Sequence, residues 1–218
     1  MKAVVVAGTR GIGGSIADQL EEICEEVVRP GSSDLDTSNL DQVRNFVKEH
    51  SEVDILVLNT GGPPAIPFGD ISDEEWNHWF NQLFLSFVIL LREINIRPGG
   101  YVFLISSFNI REPSPKLVLS NSLRLGFTSV FKTLSQLRIE DAVSFVNIAP
   151  GPVNTERLAS LQEKSGRSMD EFANRLASKR ITEPDEIGLF VRSIIENDLS
   201  GLNGVTIPFD MGLGKYVL

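Results

Sequence analysis

The sequence has very few of the residues that hold metals or form disulfides. Its 218 residues include one cysteine, Cys24, and two histidines, His50 and His78. A lone cysteine beside acidic residues excludes a disulfide framework and leaves its thiol without electropositive activation, so we expect Cys24 to be a packing residue. Neither histidine has a cysteine or aspartate nearby at ligand spacing, which argues against zinc and triad chemistry. We predict no metal site.

Positive charge and long apolar runs are also scarce. The chain has 20 basic and 29 acidic residues and a formal charge of -9, and such a surface repels phosphate backbones and anionic lipids. The apolar run at the N-terminus is too short for a signal peptide, and the most apolar helical stretch, 76–91, is too short and too polar to span a bilayer. We therefore expect a cytoplasmic protein with no nucleic-acid partner and no membrane partner.

The chain does have a regular alternation of short β-branched runs with stretches of helical length. The runs are AVVVA, EVVR, DILVLN, GYVFLIS, VSFVNIA and GVTIPF. This alternation predicts a doubly wound α/β fold of the Rossmann type, with a parallel sheet between two helical layers. The length of the chain, without a linker or repeat, favours one dinucleotide-binding domain over residues 1–218. Ligands in such folds bind beyond the carboxyl ends of the strands.

A glycine loop follows the first of these runs and precedes the first helical stretch. It reads Gly8-Thr9-Arg10-Gly11-Ile12-Gly13. Glycines let the chain turn tightly and approach a pyrophosphate, and free N–H groups at the start of the helix donate hydrogen bonds to it. The order of strand, glycine turn and helix favours a dinucleotide site over a tight turn without a ligand.

This loop and five later segments resemble, in order, the motifs of the short-chain dehydrogenase/reductase family. The family's TGxxxGxG stands here as residues 6–13, with Val6 and Ala7 in place of its first Thr and Gly. Leu58–Gly61 is similar to the family's NNAG motif, and Ile105–Ser107 is similar to the end of its fifth strand, which carries the serine. The last three segments are similar to the PGxxxT, GEPEE and DGG motifs, in this order: Pro150–Thr155, Thr182–Ile187 and Asp210–Gly212. The resemblance covers almost the whole chain. It implies an NAD(P)-dependent oxidoreductase similar to 3-oxoacyl-carrier-protein reductases.

The resemblance also implies a set of cofactor-binding residues. They are Gly8, Thr9, Arg10, Gly11, Ile12, Gly13, Ser32, Ser33, Asp36, Asn59, Gly61, Arg124, Pro150, Gly151, Val153 and Thr155. Between the second and third runs the family usually has a further helix and strand, whereas this chain has room for one helix, so we expect a more open adenine side. Asp36 resembles the family's adenine-binding aspartate, and it is equally well placed to be the N-cap of a helix starting near Ser38.

The choice between NAD and NADP depends on the residues just past the second strand. An acidic residue there favours NAD, whereas a 2′-phosphate requires a cation. Ungapped counting puts Ser32 or Ser33 at this position, and Arg10 and Arg29 are placed to meet a phosphate. The sequence therefore favours NADP over NAD. If the turn is shifted by one residue, Asp34 is the acid that would bind the ribose of NAD. Arg29 is equally well explained as a surface charge.

The catalytic tyrosine and lysine of the family's YxxxK motif have no counterparts here. Counting from Ser107 puts the tyrosine position at Ser120, the lysine position at Arg124 and the family's asparagine near Leu83. Ser107 is thus the one residue retained of the four. We interpret Ser107, Ser120 and Arg124 as an atypical catalytic set that interconverts a carbonyl and an alcohol, with water or a substrate group relaying the proton through Ser120.

Two tyrosines remain elsewhere in the chain. Tyr101 stands at a strand start and Tyr216 near the C-terminus, from which it would have to fold back to reach a site. Without an obvious acid, the alternative function is that of a catalytically silent dinucleotide sensor or partner subunit.

Two helical stretches, 75–94 and 120–137, are too apolar for helices with one side in water. They predict a self-association surface, and hence a homodimer or homotetramer. We interpret the aromatic residues of the first stretch as packing residues.

Overall fold

The computed structural model of the protein describes residues 1–164, 166 and 168–216. Six parallel strands form one sheet in the order β2-β1-β3-β4-β5-β6. The strands are β1 (Lys2–Val5), β2 (Glu26–Val28), β3 (Glu52–Leu58), β4 (Asn95–Ile105), β5 (Ser144–Pro150) and β6 (Val205–Phe209). The chain moves outward from β1 to β2, and then returns to β3 on the other side of β1. This topology confirms the predicted doubly wound α/β fold and puts its switch point between β1 and β3.

Helices cover both faces of the sheet. They are α1 (Gly11–Glu21), α2 (Leu40–Glu49), α3 (Asp73–Phe80), α4 (Ser86–Glu93), α5 (Val118–Leu137), α6 (Glu156–Lys164), α7 (Met169–Ala173) and α8 (Pro184–Glu196), with a π-helical turn at Asn81–Leu85 between α3 and α4. Helices α2, α4 and α5 pack on one face, and α1 and α8 pack on the other. The predicted three-layer arrangement follows.

The strands are apolar on both sides because both faces are covered. In β1, Ala3 and Val5 belong to the core beneath α1 and α8, whereas Val4 belongs to the core beneath α2, α4 and α5. Successive side chains of a strand point to opposite faces, so a continuous apolar run fills both cores.

The connection between β2 and β3 contains α2 alone, which is the short crossover that the sequence predicts. Asn39 caps α2, because its side-chain oxygen accepts hydrogen bonds from the backbone N–H groups of Asp41 and Gln42. The Oδ1 atom of Asp36 instead accepts from the backbone N–H and the hydroxyl of Ser38, at 2.9 and 2.7 Å. The N-cap interpretation of Asp36 is therefore wrong, because Asp36 closes the turn before the helix.

The described residues form neither a membrane-spanning helix nor a cluster of metal ligands. None of the helices in these ranges is long and apolar enough to cross a membrane. The same ranges contain no group of three or more His, Cys, Asp or Glu side chains placed to hold a metal ion.

Candidate active site

The glycine loop joins β1 to α1 and leaves no room for side chains at two of its glycines. A Cβ atom on Gly8 would lie 2.6 Å from the carbonyl oxygen of Val5, and one on Gly13 would lie 2.2 Å from that of Ala7. Gly11 has a φ of +57°, in the left-handed region that glycine enters without steric cost. The loop is therefore a concave backbone surface at the switch point of the sheet.

Ala7 stands where the family pattern has its first glycine, and its backbone is strained. Its φ is 51°, a conformation that costs a residue with a Cβ atom about 1 kcal/mol. The loop thus keeps a shape suited to glycine even though the residue has changed.

The start of α1 is open to an anion. Arg10 is its N-cap residue but forms no side-chain cap, and the first turn contains no acidic residue, so the first N–H groups of the helix remain available. Thr155 lies opposite, with its Cγ2 atom 3.5 Å from the position of a Cβ on Gly11. Arg10 and Glu156 form an exposed ion pair of 2.9 Å across this opening. A pyrophosphate fits the chemistry of this cleft.

The turn after β2 holds the residues predicted to contact the ribose. Ser32 and Ser33 are exposed there. The Oδ2 atom of Asp34 accepts the backbone N–H of Gly31 at 2.9 Å, and Gly31 packs against Thr9 of the glycine loop. The carboxylate of Asp34 therefore closes its own turn.

Arg29 supports the glycine loop from below. Its Nε atom donates to the carbonyl oxygen of Gly8 at 3.0 Å, and its Nη1 atom pairs with Asp18 and Glu21 at 2.7 and 2.9 Å. Its charge is already balanced by these two carboxylates. Of the two arginines predicted to meet a phosphate, Arg10 is the one with a largely exposed side chain.

The segment after β3 forms the floor of the cleft. The side-chain amide of Asn59 donates to the carbonyl oxygen of Ala7 at 3.3 Å and so ties β3 to the glycine loop. Gln82 donates to the hydroxyl of Thr60 and to the carbonyl oxygen of Gly61, both at 3.2 Å. Gln82 belongs to the π-helical turn, a feature frequent at functional sites. The sequence prediction did not include it.

Leu83, at the position matched to the family's asparagine, faces a small apolar cluster. It is buried with Leu119 and Leu123 of α5. The polar contact to the cleft floor therefore comes from its neighbour Gln82.

The segment after β5 is fixed between β6 and the turn before α8. Pro150 is the last residue of β5, and the backbone N–H of Gly151 donates to the carbonyl oxygen of Phe209 at 3.0 Å. Val153 is buried and pairs with Thr182 in an isolated parallel bridge. These contacts hold Thr155 over the glycine loop.

The predicted catalytic residues come from β4 and α5. Ser107 follows β4, and its Oγ atom accepts the backbone N–H of Asn109 at 3.2 Å. Ser120, only 7% exposed, and Arg124 lie one turn apart on α5, with Arg124 Nε 3.3 Å from Ser120 Oγ. Nη1 of Arg124 donates to the carbonyl oxygen of Ile105 at 3.1 Å. This bond fixes the guanidinium at the end of β4, because Ile105 is two positions before Ser107 in the chain.

A second arginine, Arg157, reaches the same place from the first turn of α6. Its Nη1 and Nη2 atoms donate to the carbonyl oxygens of Gly62 and Pro63 at 2.6 and 2.8 Å. Arg124 donates from Nη2 to the carbonyl oxygen of Thr60 at 3.3 Å. The sequence prediction missed Arg157, although a cation two residues beyond Thr155 was the available signal.

The electrostatics of the two arginines reflect their surroundings. Burial, together with the nearby charge of Arg157, lowers the pKa of Arg124 to about 10. Burial also lowers the pKa of Arg157. A pKa of about 10 leaves Arg124 charged at neutral pH.

The two tyrosines occupy different parts of the molecule. Tyr101 donates to Asp198 at 2.8 Å and pairs with Ser144 at the start of β5, at the far end of the sheet from the cleft. Tyr216 folds back onto the segment after β4, where its ring lies 4.7 Å from the guanidinium carbon of Arg111.

Comparison with known proteins gives consistent matches over nearly the whole chain. The short-chain dehydrogenase family model described as enoyl-(acyl carrier protein) reductase matches residues 6–214. The uncharacterized oxidoreductase YvaG of Bacillus subtilis is 26% identical over 99% of this chain and 88% of its own length. The 3-oxoacyl-[acyl-carrier-protein] reductase FabG of Chlamydia trachomatis is 26% identical over 97% of this chain and 96% of its own.

Solved structures show the same fold. L-sorbose reductase from Gluconobacter frateurii, complexed with NADPH and L-sorbose, superimposes with a TM-score of 0.88 at 20% identity, over 99% of this chain and 97% of that one. BdcA in complex with NADPH gives a TM-score of 0.84 at 18% identity, over 98% and 94% of the two chains. With a family model that spans nearly the whole chain, the protein belongs to the short-chain dehydrogenase/reductase family of oxidoreductases, as its sequence motifs predicted.

Proposed function

We propose that the protein is an NADP-dependent oxidoreductase that interconverts a carbonyl and an alcohol through an atypical active site. One observation carries this proposal. The open, glycine-lined start of α1 faces Thr155, while Ser107 follows β4 and the guanidinium of Arg124, from α5, bonds to the last residue of that strand. NADPH, when bound, supplies the hydride. Two proteins of the same fold were solved with NADPH, which supports the choice of cofactor.

The preference for NADPH rests on the charges beyond the glycine loop. Arg10 is exposed at the mouth of the cleft, and Asp34, the candidate acid for an NAD ribose, is engaged in its own turn. A hydrogen bond from a guanidinium to a phosphate contributes about 1.5–3 kcal/mol. We therefore expect NADPH to bind at least about tenfold more tightly than NADH.

The chain's own residues divide the remaining work. Ser107 orients the carbonyl through its hydroxyl group. Arg124 holds Ser120 and is placed to donate to ribose hydroxyls. A water or a substrate group relays the proton through Ser120, because a short serine side chain does not extend as far as the family's tyrosine. The absence of a directly positioned acid costs about 10²–10⁴ in rate, so we expect slow turnover.

Calorimetric titration of the purified protein with NADPH and NADH tests the cofactor assignment, followed by turnover on a panel of carbonyl compounds. Arg10→Ala should reduce the preference for NADPH, and Arg44→Ala on α2 is the matched control because Arg44 is a similarly paired surface arginine. Equal affinity for both cofactors would contradict the NADP assignment and favour Asp34 as the ribose ligand.

A catalytically silent sensor or partner subunit is the second candidate. It is favoured by the burial of Ser120 and by its hydrogen bond to Arg124, because both restrict proton transfer. Tight cofactor binding without turnover of any carbonyl in the panel would support it.

A further inference from the structure

The two guanidinium groups of Arg124 and Arg157 lie side by side in the cleft. A Cβ atom built on Gly62 would be 3.2 Å from the Nη2 atom of each, so these two nitrogens are within about twice that distance of one another. One carboxylate or phosphate group can bridge donors so placed, since both anions accept hydrogen bonds on two or more oxygens. Glycine at position 62 puts no side chain between them, whereas a Cβ there would press against both.

Neither charge is neutralised by the part of the chain that the structure describes. The ion pairs within 4.0 Å among residues 1–164, 166 and 168–216 involve other arginines, Lys2 and the N-terminal amine. The partners of Arg124 and Arg157 are a hydroxyl group and uncharged backbone carbonyls. Two like charges held together in this way repel each other, and an anion removes this cost.

Both arginines retain donors for a ligand. A guanidinium has five N–H groups. Among the residues that the structure describes, Arg124 uses three of them, on Ser120, Ile105 and Thr60, and Arg157 uses two, on Gly62 and Pro63. The guanidiniums are fixed by these bonds, and a rigid pair of forks with spare donors is a good anion receptor.

We propose that Arg124 and Arg157 form an anion subsite above Gly62, which selects carbonyl substrates that carry a carboxylate or a phosphate group. This inference rests on the proposed function, because the subsite adjoins Ser120 and the end of β4. Arg157 is then the residue that determines specificity. The unusual placement of paired cations in a chain with a formal charge of -9 supports this assignment.

Thermal unfolding of the cofactor-free protein tests the subsite without any need for turnover. The probes are acetoacetate, its neutral methyl ester, dihydroxyacetone phosphate and neutral dihydroxyacetone, each at millimolar concentration. At least one anionic probe should raise the Tm of the wild type, whereas the neutral partners should not. Repeating the measurement with saturating NADP⁺ excludes an anion bound at the glycine loop.

Three variants locate the effect. Arg157→Gln should abolish the anion-dependent rise in Tm. Gly62→Ala should do the same, because its methyl group would lie 3.2 Å from both guanidiniums. Gly201→Ala is the matched control, because a Cβ there has no other atom of the described residues within 4 Å and the residue lies in the turn that precedes β6, outside the proposed subsite. It should behave as the wild type does.

Turnover gives the second readout. Where the enzyme reduces both an anionic carbonyl compound and its neutral partner, the two kcat/KM values can be compared. The ratio of kcat/KM for the anionic compound to that for the neutral one should be at least tenfold lower in Arg157→Gln than in the wild type. Protection by neither anionic probe, or equal protection in the Arg157→Gln and Gly62→Ala variants, overturns the subsite even if NADPH binds. Absence of NADPH binding overturns the proposed function, whereas the Tm measurements on cofactor-free protein still decide whether the anion subsite exists.

Discussion

At the scale of single residues, the backbone of Ala7 offers a direct test of the glycine loop. Ala7→Gly should raise the free energy of unfolding by about 1 kcal/mol, because glycine relieves the left-handed conformation at φ 51°. Urea denaturation measures the change. Ala159→Gly, inside α6, is the control and should lower stability by about 1 kcal/mol. A loss of stability in Ala7→Gly would show that the loop does not need the left-handed conformation.

The atypical catalytic residues predict two opposite changes in rate. Ser107→Ala should lower turnover, because it removes the hydroxyl that orients the carbonyl. The double variant Ser120→Tyr with Arg124→Lys restores the family's acid and its cation together, and should gain up to about 10²–10⁴ in rate on a generic carbonyl. Steady-state kinetics with saturating NADPH measure both effects. Wild-type turnover that is unchanged in Ser107→Ala would contradict the proposed site.

Tyr101 predicts a loss of stability at high pH. Burial, together with the hydrogen bond to Asp198 and the negative charge of that residue, raises the pKa of Tyr101 to about 12. The unfolded state ionises at the ordinary tyrosine pKa of about 10, so the stabilising contribution is complete below pH 10 and is lost as the pH rises toward 12. Urea denaturation at pH 9 and 11 should show a smaller loss in Tyr101→Phe than in the wild type. Tyr216→Phe is the control, and an identical loss in Tyr101→Phe would refute the prediction.

At the scale of elements, the strands were predictable because their residues are chemically distinctive. β-branched runs bounded by glycine and proline identified all six strands and their parallel arrangement. The prediction for β4 began at Gly100, whereas the strand begins at Asn95. Its first residues pair with Glu52 and Val53, and the register then shifts before Tyr101 pairs with Ile55. A Pro-Gly-Gly sequence within a strand reads as a turn, so this irregularity was missed.

The predicted helix over 75–94 is divided in the structure by the π-helical turn at Asn81–Leu85. Gln82 lies within that turn, and its side chain donates to the hydroxyl of Thr60. Apolar periodicity indicates that a segment is helical, but it does not distinguish an α-helical turn from a π-helical one. The polar residue beside Leu83 was therefore unpredictable from spacing alone.

The contacts of Arg157 and Arg29 show that prediction of the site from the sequence is limited in a similar way. Ser107, Ser120 and Arg124 were predicted as site residues because the family's motifs fix their spacing along the chain. The contact of Arg157 with Gly62 and Pro63 joins residues 95 and 94 positions apart. The neutralisation of Arg29 by Asp18 and Glu21 likewise depends on how α1 packs beside β2. Such pairings depend on tertiary packing, which a single sequence does not display.

At the scale of the whole molecule, the two apolar helical stretches, 75–94 and 120–137, bury some of their side chains in the chain's own core. Leu83, Phe87 and Leu90 are buried within it, whereas Phe80 remains 40% exposed and Leu125 remains 52% exposed. Exposed apolar side chains on neighbouring helices are typical of association surfaces. The prediction of a homodimer or homotetramer through these helices therefore has a specific test.

Phe80→Asp combined with Leu125→Asp should convert the oligomer to a monomer, because charges on both helices oppose burial of the surface. Sedimentation velocity at micromolar concentration measures the oligomeric state. Leu189→Asp, on the exposed side of α8, is the control and should leave the oligomer intact. A folded wild-type monomer under these conditions would refute the prediction.

The short crossover through α2 has a consequence for how copies of the chain can meet. It leaves β2, a strand of three residues, as one edge of the sheet, and the exposed Glu26 of this strand pairs with Lys2. The opposite edge, β6, contains Pro208, which has no N–H group to offer. Short strands, charges and proline at edges all discourage the addition of a foreign strand. Both edges therefore disfavour edge-to-edge pairing of sheets, in agreement with the prediction that copies of the chain associate through side chains on their helices.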